Sequence, residues 1–349
     1  MAEGHLTNLR VGFIGLGNMG GRMTRRLADA GYEVLGYDLV AGRAAAAGAV
    51  PADSVADAVT GSDCVLLSLP DSSVIEPVVL GPAGVLETCR PGQVIVDLST
   101  AAPSSTIRLH AALAERGAEY LDAGISGGAA AAEQGTLTIM VGGAETALQS
   151  VAEVFEPIAA KVVHMGASGA GHTTKILNNF LNAVSLAATA EVMVATRLAG
   201  LDLARVLEVI NASSGVNFAT LQRFPHIIRG DYLEGGLTSA LMTKDIVLYA
   251  DCLRELGAPS LLASGPLPPS AWRTASATPT RSATGWWTRS VTWRAASACT
   301  TRTPTTARQV TEQCRSSRPA TMAARLRSCG ARRSPAWSTL TRCSPTRAR

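Results

Sequence analysis

The run Arg10-Val-Gly-Phe-Ile-Gly-Leu-Gly-Asn-Met-Gly20 decides the fold. A short apolar strand turns through Gly15, Gly17 and Gly20 into an amphipathic helix that runs to about residue 30. A second strand, 33–37, ends at Asp38, which stands 21 residues after Gly17. Strand, Gly-x-Gly-x-x-Gly, helix, strand and acid in this order are the dinucleotide-binding fingerprint. The glycines permit the tight turn and let backbone amides approach a pyrophosphate at the positive end of the helix. A carboxylate at Asp38 accepts hydrogen bonds from a ribose 2′-hydroxyl and repels a 2′-phosphate. NAD is therefore expected over NADP, with Arg43 close enough to blunt the preference.

Outward from this motif the strand–helix alternation continues. Strand 64–69, helix 72–80, strand 94–97, helix 103–116 and strand 119–122 follow. Strands 137–141 and 161–164 then flank a helix at 144–155. Repeated units of this kind predict a doubly wound (Rossmann) parallel sheet covered on both faces. Ligands of such sheets lie at the carboxyl ends of the strands, where Leu69-Pro70 and Asp97-Leu-Ser-Thr100 stand. Asp122-Ala-Gly-Ile-Ser126-Gly127-Gly128 stands at another strand end. Its hydroxyl and unhindered amides suit a small carboxylate. Taken alone, each of these segments also reads as an ordinary turn.

A second glycine-rich stretch, Gly166-Ala-Ser-Gly-Ala-Gly-His-Thr-Thr-Lys175-Ile-Leu-Asn178-Asn179, opens a long, mostly apolar helix predicted to reach residue 201. Lys175 and Asn179 are four apart and share one helix face. A proton-transfer group and a neutral hydrogen-bonding group are thus aimed at one point. His172 is the rival base, though its position suits capping or packing better. Further helices are predicted at 204–212 and 241–256. The second carries Lys244-Asp245, which by residue type alone reads as a solvated face.

The 349 residues suffice for two domains, each with its own core. The boundaries expected are 1–165 for the sheet domain and 166–264 for an all-helical one, with 265–349 as an aberrant tail. No apolar run makes a convincing membrane span, and residues 1–9 are too polar for a secretory signal. A cytoplasmic location is expected by default. Seven cysteines show neither CxxC nor Cys/His ligand spacing, so no metal site or disulfide framework is expected. The net charge of +4 conceals a split. Residues 1–264 hold 16 Lys+Arg against 26 Asp+Glu, whereas 265–349 hold 15 Arg and the single acid Glu312. The tail lacks Asp, Asn, Lys, Ile, Phe and Tyr, yet carries all five tryptophans and four of the seven cysteines. That mixture resembles GC-rich DNA read out of frame, and a frameshift near residues 258–272 is expected. The other reading is a genuine basic extension.

Together these motifs resemble the β-hydroxyacid dehydrogenase family, of 3-hydroxyisobutyrate dehydrogenase and 6-phosphogluconate dehydrogenase type, over about residues 8–260. Four blocks carry the resemblance: Gly15-Leu-Gly-Asn-Met-Gly20, Asp122-Ala-Gly-Ile-Ser-Gly-Gly128, the Gly-x-Gly-x-x-x-Lys-x-x-Asn-Asn block ending at Asn179, and Thr243-Lys-Asp245. One departure is Gly124, where the family usually has proline, and it is expected to loosen that loop. The resemblance implies hydride transfer between NAD(P) and a small 3-hydroxy acid or its semialdehyde. Lys175 is then the catalytic acid/base and Asn179 orients the substrate, while Ser126, Gly127 and Gly128 hold its carboxylate. The cofactor is held by Gly15, Leu16, Gly17, Asn18, Met19, Gly20 and Asp38, and touched by Leu69, Pro70, Val74, Thr100 and Lys244. A homodimer or homotetramer is also implied, with the tail interrupting the helices that would form it. Two other functions stay open. One is imine reduction on the same fold, against which Lys175 argues. The other is a non-catalytic nucleotide-binding module drawn to nucleic acid by its basic tail, although nucleic acid is otherwise not an expected partner.

Overall fold

Unbroken apolar runs such as Cys64-Val-Leu-Leu need cover on both faces, and a sheet lying between two layers of helices supplies it. The computed structural model describes residues 9–231, 239–259 and 262–263. The chain divides into units 1–295 and 296–349, and every described residue lies in the first. The tail at 265–349, with its out-of-frame reading, lies outside the described residues.

From β1 (Val11–Ile14) the chain runs through α1 (Gly20–Asp29) to β2 (Val34–Tyr37), then α2 (Arg43–Ala46) and β3 (Val50–Pro51). Next, α3 (Val55–Thr60) leads to β4 (Cys64–Leu67), and α4 (Ser72–Leu80) with α5 (Val85–Thr88) leads to β5 (Val94–Asp97). From there α6 (Pro103–Glu115) leads to β6 (Glu119–Ser126), and α7 (Gly128–Gln134) to β7 (Leu137–Gly142). A pair, α8 (Glu145–Ser150) and α9 (Ala152–Phe155), precedes β8 (Ala159–Gly166). The helical part holds α10 (Ala170–Leu198), α11 (Leu203–Asn211), a π-helical turn (Ala219–Arg223), α12 (Phe224–Ile227) and α13 (Ser239–Glu255).

The sheet order is β3-β2-β1-β4-β5-β6-β7-β8, which reverses direction between β1 and β4. That switch point is where doubly wound sheets bind ligands. Neighbouring strands pair parallel throughout except β6 and β7, which are antiparallel. The doubly wound parallel sheet expected is thus present, with this one pairing as its exception. Only ten residues separate Ser126 from Leu137, fewer than a parallel crossover needs. The strand expected at 119–122 also runs on to Ser126, so Gly124 lies inside β6 opposite Met140 rather than in a loop. The helix expected at 144–155 is two, broken at Val151.

Alternate residues of β4 feed the two cores. Cys64 and Leu66 join the cluster around Phe13, Met23 and Phe155, while Val65 and Leu67 join the one around Ile75, Leu109 and Tyr120. A third cluster lines α10 at Phe180, Ala183, Leu186, Ala190 and Met193, the stripe a helix buries along one face. Met242 and Ile246 of α13 pack on it. Among the described residues no helix is long and apolar enough to cross a membrane.

Candidate active site

The first glycine loop is built for a ligand that the protein itself does not replace. Gly15 takes φ +91°, and a side chain there would meet the Ser68 carbonyl at 2.4 Å. At Gly20 a Cβ would fall 1.9 Å from the Gly15 oxygen. These two glycines are demanded by the fold. Gly17 is different, because a Cβ there would meet nothing within 4 Å. The first turn of α1 has no side-chain cap and no acidic residue. Open space and free amides at a helix N-terminus fit a pyrophosphate. Leu16 itself is buried, Asn18 is exposed, and Met19 packs against the sheet core.

Asp38 sits at the end of β2 and ties this loop down. It accepts from the Leu16 amide (2.7 Å) and the Val40 amide (2.8 Å), and pairs with Arg43 at 3.1 Å. Burial pushes its carboxyl upward, but the two amides and the guanidinium outweigh it and hold the group below the ordinary value. Arg43 is half-exposed and shares this corner, as the sequence spacing suggested.

The carboxyl ends of β4 and β5 are stitched together beside it. The Leu69 amide donates to Ser99 Oγ (2.9 Å), and the Ala102 amide to Ser72 Oγ (2.9 Å). Val74 is half-buried in the first turn of α4. Lys244, far away in sequence, donates to the carbonyls of Thr100 (2.8 Å) and Pro70 (3.1 Å). Reading Lys244-Asp245 as a solvated face by residue type is therefore overturned. Asp245 is only 3% exposed, and lies 3.1 Å from the Lys244 ammonium. It also accepts from Asn179 Nδ2 at 2.6 Å. The signal was available: Asp245 stands three residues after Met242 and four before Tyr249, on the face that α13 buries.

The second glycine loop is filled from within. Asp122, wholly buried in β6, accepts from the amides of Gly169 and His172, both at 2.7 Å. A distant carboxylate thus does the work of a helix cap, although Gly169 has no side chain of its own. His172 is also wholly buried. A carbonyl can only accept, so its ring donates from Nε2 to the Asp97 carbonyl (3.2 Å), and Nδ1 takes the Thr106 hydroxyl (2.8 Å). Both nitrogens are engaged, which leaves no free base there.

Lys175 stands one turn further along α10, over β6. A Cβ built at Gly124 falls 2.5 Å from Lys175 Cβ, so the lysine stem lies directly on the strand. Its ammonium makes no hydrogen bond or ion pair among the described residues. Burial draws its pKa down from 10.5 to about 8; Asp245 works against that shift and Lys244 adds to it. Ser126 is two residues beyond Gly124, on the same face of β6 and about 7 Å along the strand. Gly127 and Gly128 follow with φ of +128° and +70°, conformations that favour glycine. Among the described residues no group of His, Cys, Asp and Glu is arranged to hold a metal.

Comparison with known proteins agrees with this geometry. Residues 10–166 match the NAD binding domain of 6-phosphogluconate dehydrogenase. Residues 169–278 match the family described as NAD-binding of NADP-dependent 3-hydroxyisobutyrate dehydrogenase. The chain is 40% identical over 249 residues to an NAD-dependent L-serine dehydrogenase of Pseudomonas aeruginosa, covering 68% of this chain and 83% of that one. It is 37% identical over 255 residues to 2-(hydroxymethyl)glutarate dehydrogenase of Eubacterium barkeri, covering 72% and 85%. Among solved structures, Mycobacterium tuberculosis 3-hydroxyisobutyrate dehydrogenase with L-serine superposes with a TM-score of 0.73 at 31% identity, covering 80% of this chain and 98% of that one. Sheet order, open glycine loop and these alignments place the chain among the NAD(P)-dependent hydroxyacid dehydrogenases. Within that class it belongs to the 3-hydroxyisobutyrate dehydrogenase-like β-hydroxyacid dehydrogenase family.

Proposed function

We propose that this chain interconverts a small 3-hydroxy acid and its semialdehyde, with Lys175 as general acid/base. The observation that carries the reading is the state of Lys175: partly buried, without a hydrogen-bond partner among the described residues, and drawn to about pH 8. A lysine in that state holds a neutral amine in a useful fraction near neutrality, as a general base requires. When bound, the nicotinamide supplies the acceptor for hydride from the carbinol carbon. Lys175 takes the hydroxyl proton as that hydride leaves, and returns it in the reverse direction. Ser126 and the amides at Gly127 and Gly128 hold the substrate carboxylate. Asn179, anchored through Nδ2 to Asp245, keeps its carbonyl oxygen for the substrate hydroxyl.

NAD is the preferred cofactor in this reading, because Asp38 presents a carboxylate where a 2′-phosphate would sit. Arg43 is already paired with it. The names of two relatives suggest substrates to try first, L-serine and 3-hydroxyisobutyrate. Turnover of these acids, beside 2-(hydroxymethyl)glutarate and a cyclic imine, with NAD and with NADP, tests the proposal. Faster oxidation of a 3-hydroxy acid with NAD is expected. Activity on the imine alone, or nucleotide binding without any turnover, would contradict it. The compositional break supports reading residues 265–349 as out of frame, and resequencing the gene across codons 250–280 tests that separately.

A further inference from the structure

In the proposed reaction Lys175 serves the hydroxyl of a 3-hydroxy acid and Ser126 its carboxylate. The third group, on the carbon between them, is left without a partner. L-Serine, 3-hydroxyisobutyrate and 2-(hydroxymethyl)glutarate share a hydroxymethyl group and a carboxylate on that carbon. They differ only in its remaining substituent, which is an ammonium, a methyl or a propionate. A charge in the helical part bears on that choice. Among the described residues three arginines are half-buried, Arg22, Arg26 and Arg223. Arg22 pairs with Glu133 at 2.8 Å, and Arg26 donates to the Pro157 carbonyl at 3.0 Å. Arg223 makes no hydrogen bond or ion pair among the described residues. Asp231, the acid closest to it in sequence, is taken by His226 at 3.0 Å.

The segment that carries Arg223 is nonetheless firmly framed. Arg223 closes the π-helical turn Ala219–Arg223, a geometry frequent at functional sites. Asn217 Oδ1 accepts from the amides of Ala219 (2.9 Å) and Thr220 (3.2 Å), and Asn217 Nδ2 donates to the Thr189 hydroxyl of α10 (3.3 Å). Asn211 of α11 donates to the Thr220 carbonyl (3.2 Å). The next residue, Phe224, is buried in the cluster that holds Phe180 and Ile246, the chain neighbours of Asn179 and Asp245. The guanidinium lies 5.8 Å from the ring centroid of Phe218, a side chain 56% exposed. A ring face balances part of the charge but takes none of the N–H donors. Burial alone pushes the guanidinium below its ordinary value, and it remains a cation. A desolvated cation without a partner is costly, and one held in a fixed turn calls for an anion from outside the protein.

We propose that Arg223 is a specificity residue, whose guanidinium takes the distal carboxylate of a dicarboxylic 3-hydroxy acid while Lys175 works at the hydroxyl. This role rests on the reading of Lys175 as acid/base for the chemistry, though not for the binding. Paired planar N–H donors match a carboxylate, which selects a propionate over a methyl and repels an ammonium.

The test uses the full chain with R223Q, R223K and K175A. Values of kcat/KM are measured with NAD on each of the three acids. Binding of glutarate, which has both carboxylates but no hydroxymethyl group, is followed by calorimetric titration in the presence of NAD. Wild type should favour 2-(hydroxymethyl)glutarate. R223Q should lower kcat/KM for that acid by about 10–100-fold, chiefly through KM, the worth of a hydrogen-bonded charge pair. Its kcat/KM should hold for 3-hydroxyisobutyrate, and hold or rise for L-serine. R223K keeps the charge but not the planar fork, and should recover part of the loss. Glutarate should compete with 2-(hydroxymethyl)glutarate, bind wild type and K175A alike, and bind R223Q more weakly. Because Arg223 has no partner to lose among the described residues, the Tm of R223Q should not fall. Should R223Q not fold, R223K carries the same comparison. An equal loss on all three acids, unchanged selectivity, or glutarate that does not compete or ignores R223Q overturns the proposal. A lower Tm with selectivity unchanged would make Arg223 structural and overturn it too. No turnover of any acid, with glutarate still bound through Arg223, would remove the acid/base reading and leave the carboxylate site standing.

Discussion

Two glycine-rich loops open two helices in this protein, and they do opposite things. At α1 the loop is left open: nothing approaches a Cβ at Gly17, and no side chain caps the turn. At α10 the loop is closed, with Asp122 on two amides and Gly171 pressed against two strand carbonyls. Both sequences read as glycine turns into helices. What separates them is where a distant carboxylate acts: Asp38 holds only the Leu16 amide, ahead of Gly17, whereas the buried Asp122 holds the Gly169 and His172 amides at the start of α10 itself. An open loop leaves its amides for a phosphate, whereas a closed one fixes the side chains of its helix. A glycine motif thus marks a binding site only where the fold leaves its amides unspent.

The largest effect expected concerns what the closed loop is there to hold. K175A should lower turnover by about 10²–10⁴-fold while leaving NAD affinity intact, as steady-state kinetics and calorimetric titration would show. The next two variants set the loops against each other. G171A inserts a methyl between α10 and β6, and should cost about 1–3 kcal/mol of stability in denaturant unfolding, with NAD binding retained. G17A should do the reverse. Unfolding stays within about 0.5 kcal/mol of wild type, since the space is empty. NAD binding weakens about tenfold, or ~1.4 kcal/mol, as the methyl meets the ligand. If G171A weakened NAD binding and G17A unfolded the chain, the distinction between the loops would be broken.

The smallest effect is on the pH dependence of stability. Lys175 titrates near 10.5 when unfolded and at about 8 in the fold. Between those values the unfolded chain binds more protons, so stability should rise with pH across that window. K175M, which removes the buried charge, should be more stable at neutral pH by about 0.5–2 kcal/mol and lose that rise.

Much of the open loop was legible in the sequence, because its determinants are local: a strand, three glycines and an acid within 28 residues. The closed loop was half legible. Lys175 and Asn179 share a helix face by simple periodicity, but Asp122 caps across the fold and leaves no local mark. Gly124 was read as loosening a loop because proline is usual there in the family, whereas the residue lies within β6, paired opposite Met140, with the Lys175 stem packed close over it. The direction of β7 was hidden for another reason. Apolar runs in parallel and antiparallel strands look alike, and only the short link at 127–136 betrays the turn. Asp245 was set aside as a surface charge because Lys-Asp pairs usually are, although its spacing from Met242 and Tyr249 places it inside.

The chain holds only three lysines, Lys161, Lys175 and Lys244, which makes the base directly observable. With lysine labelled by ¹³C at Cε, an NMR pH titration gives three side-chain signals to follow. One signal titrating near 8, and missing from the spectrum of K175A, is the expected result. Three signals that all titrate near 10.5 would show Lys175 to be an ordinary cation and would contradict its place as the acid/base.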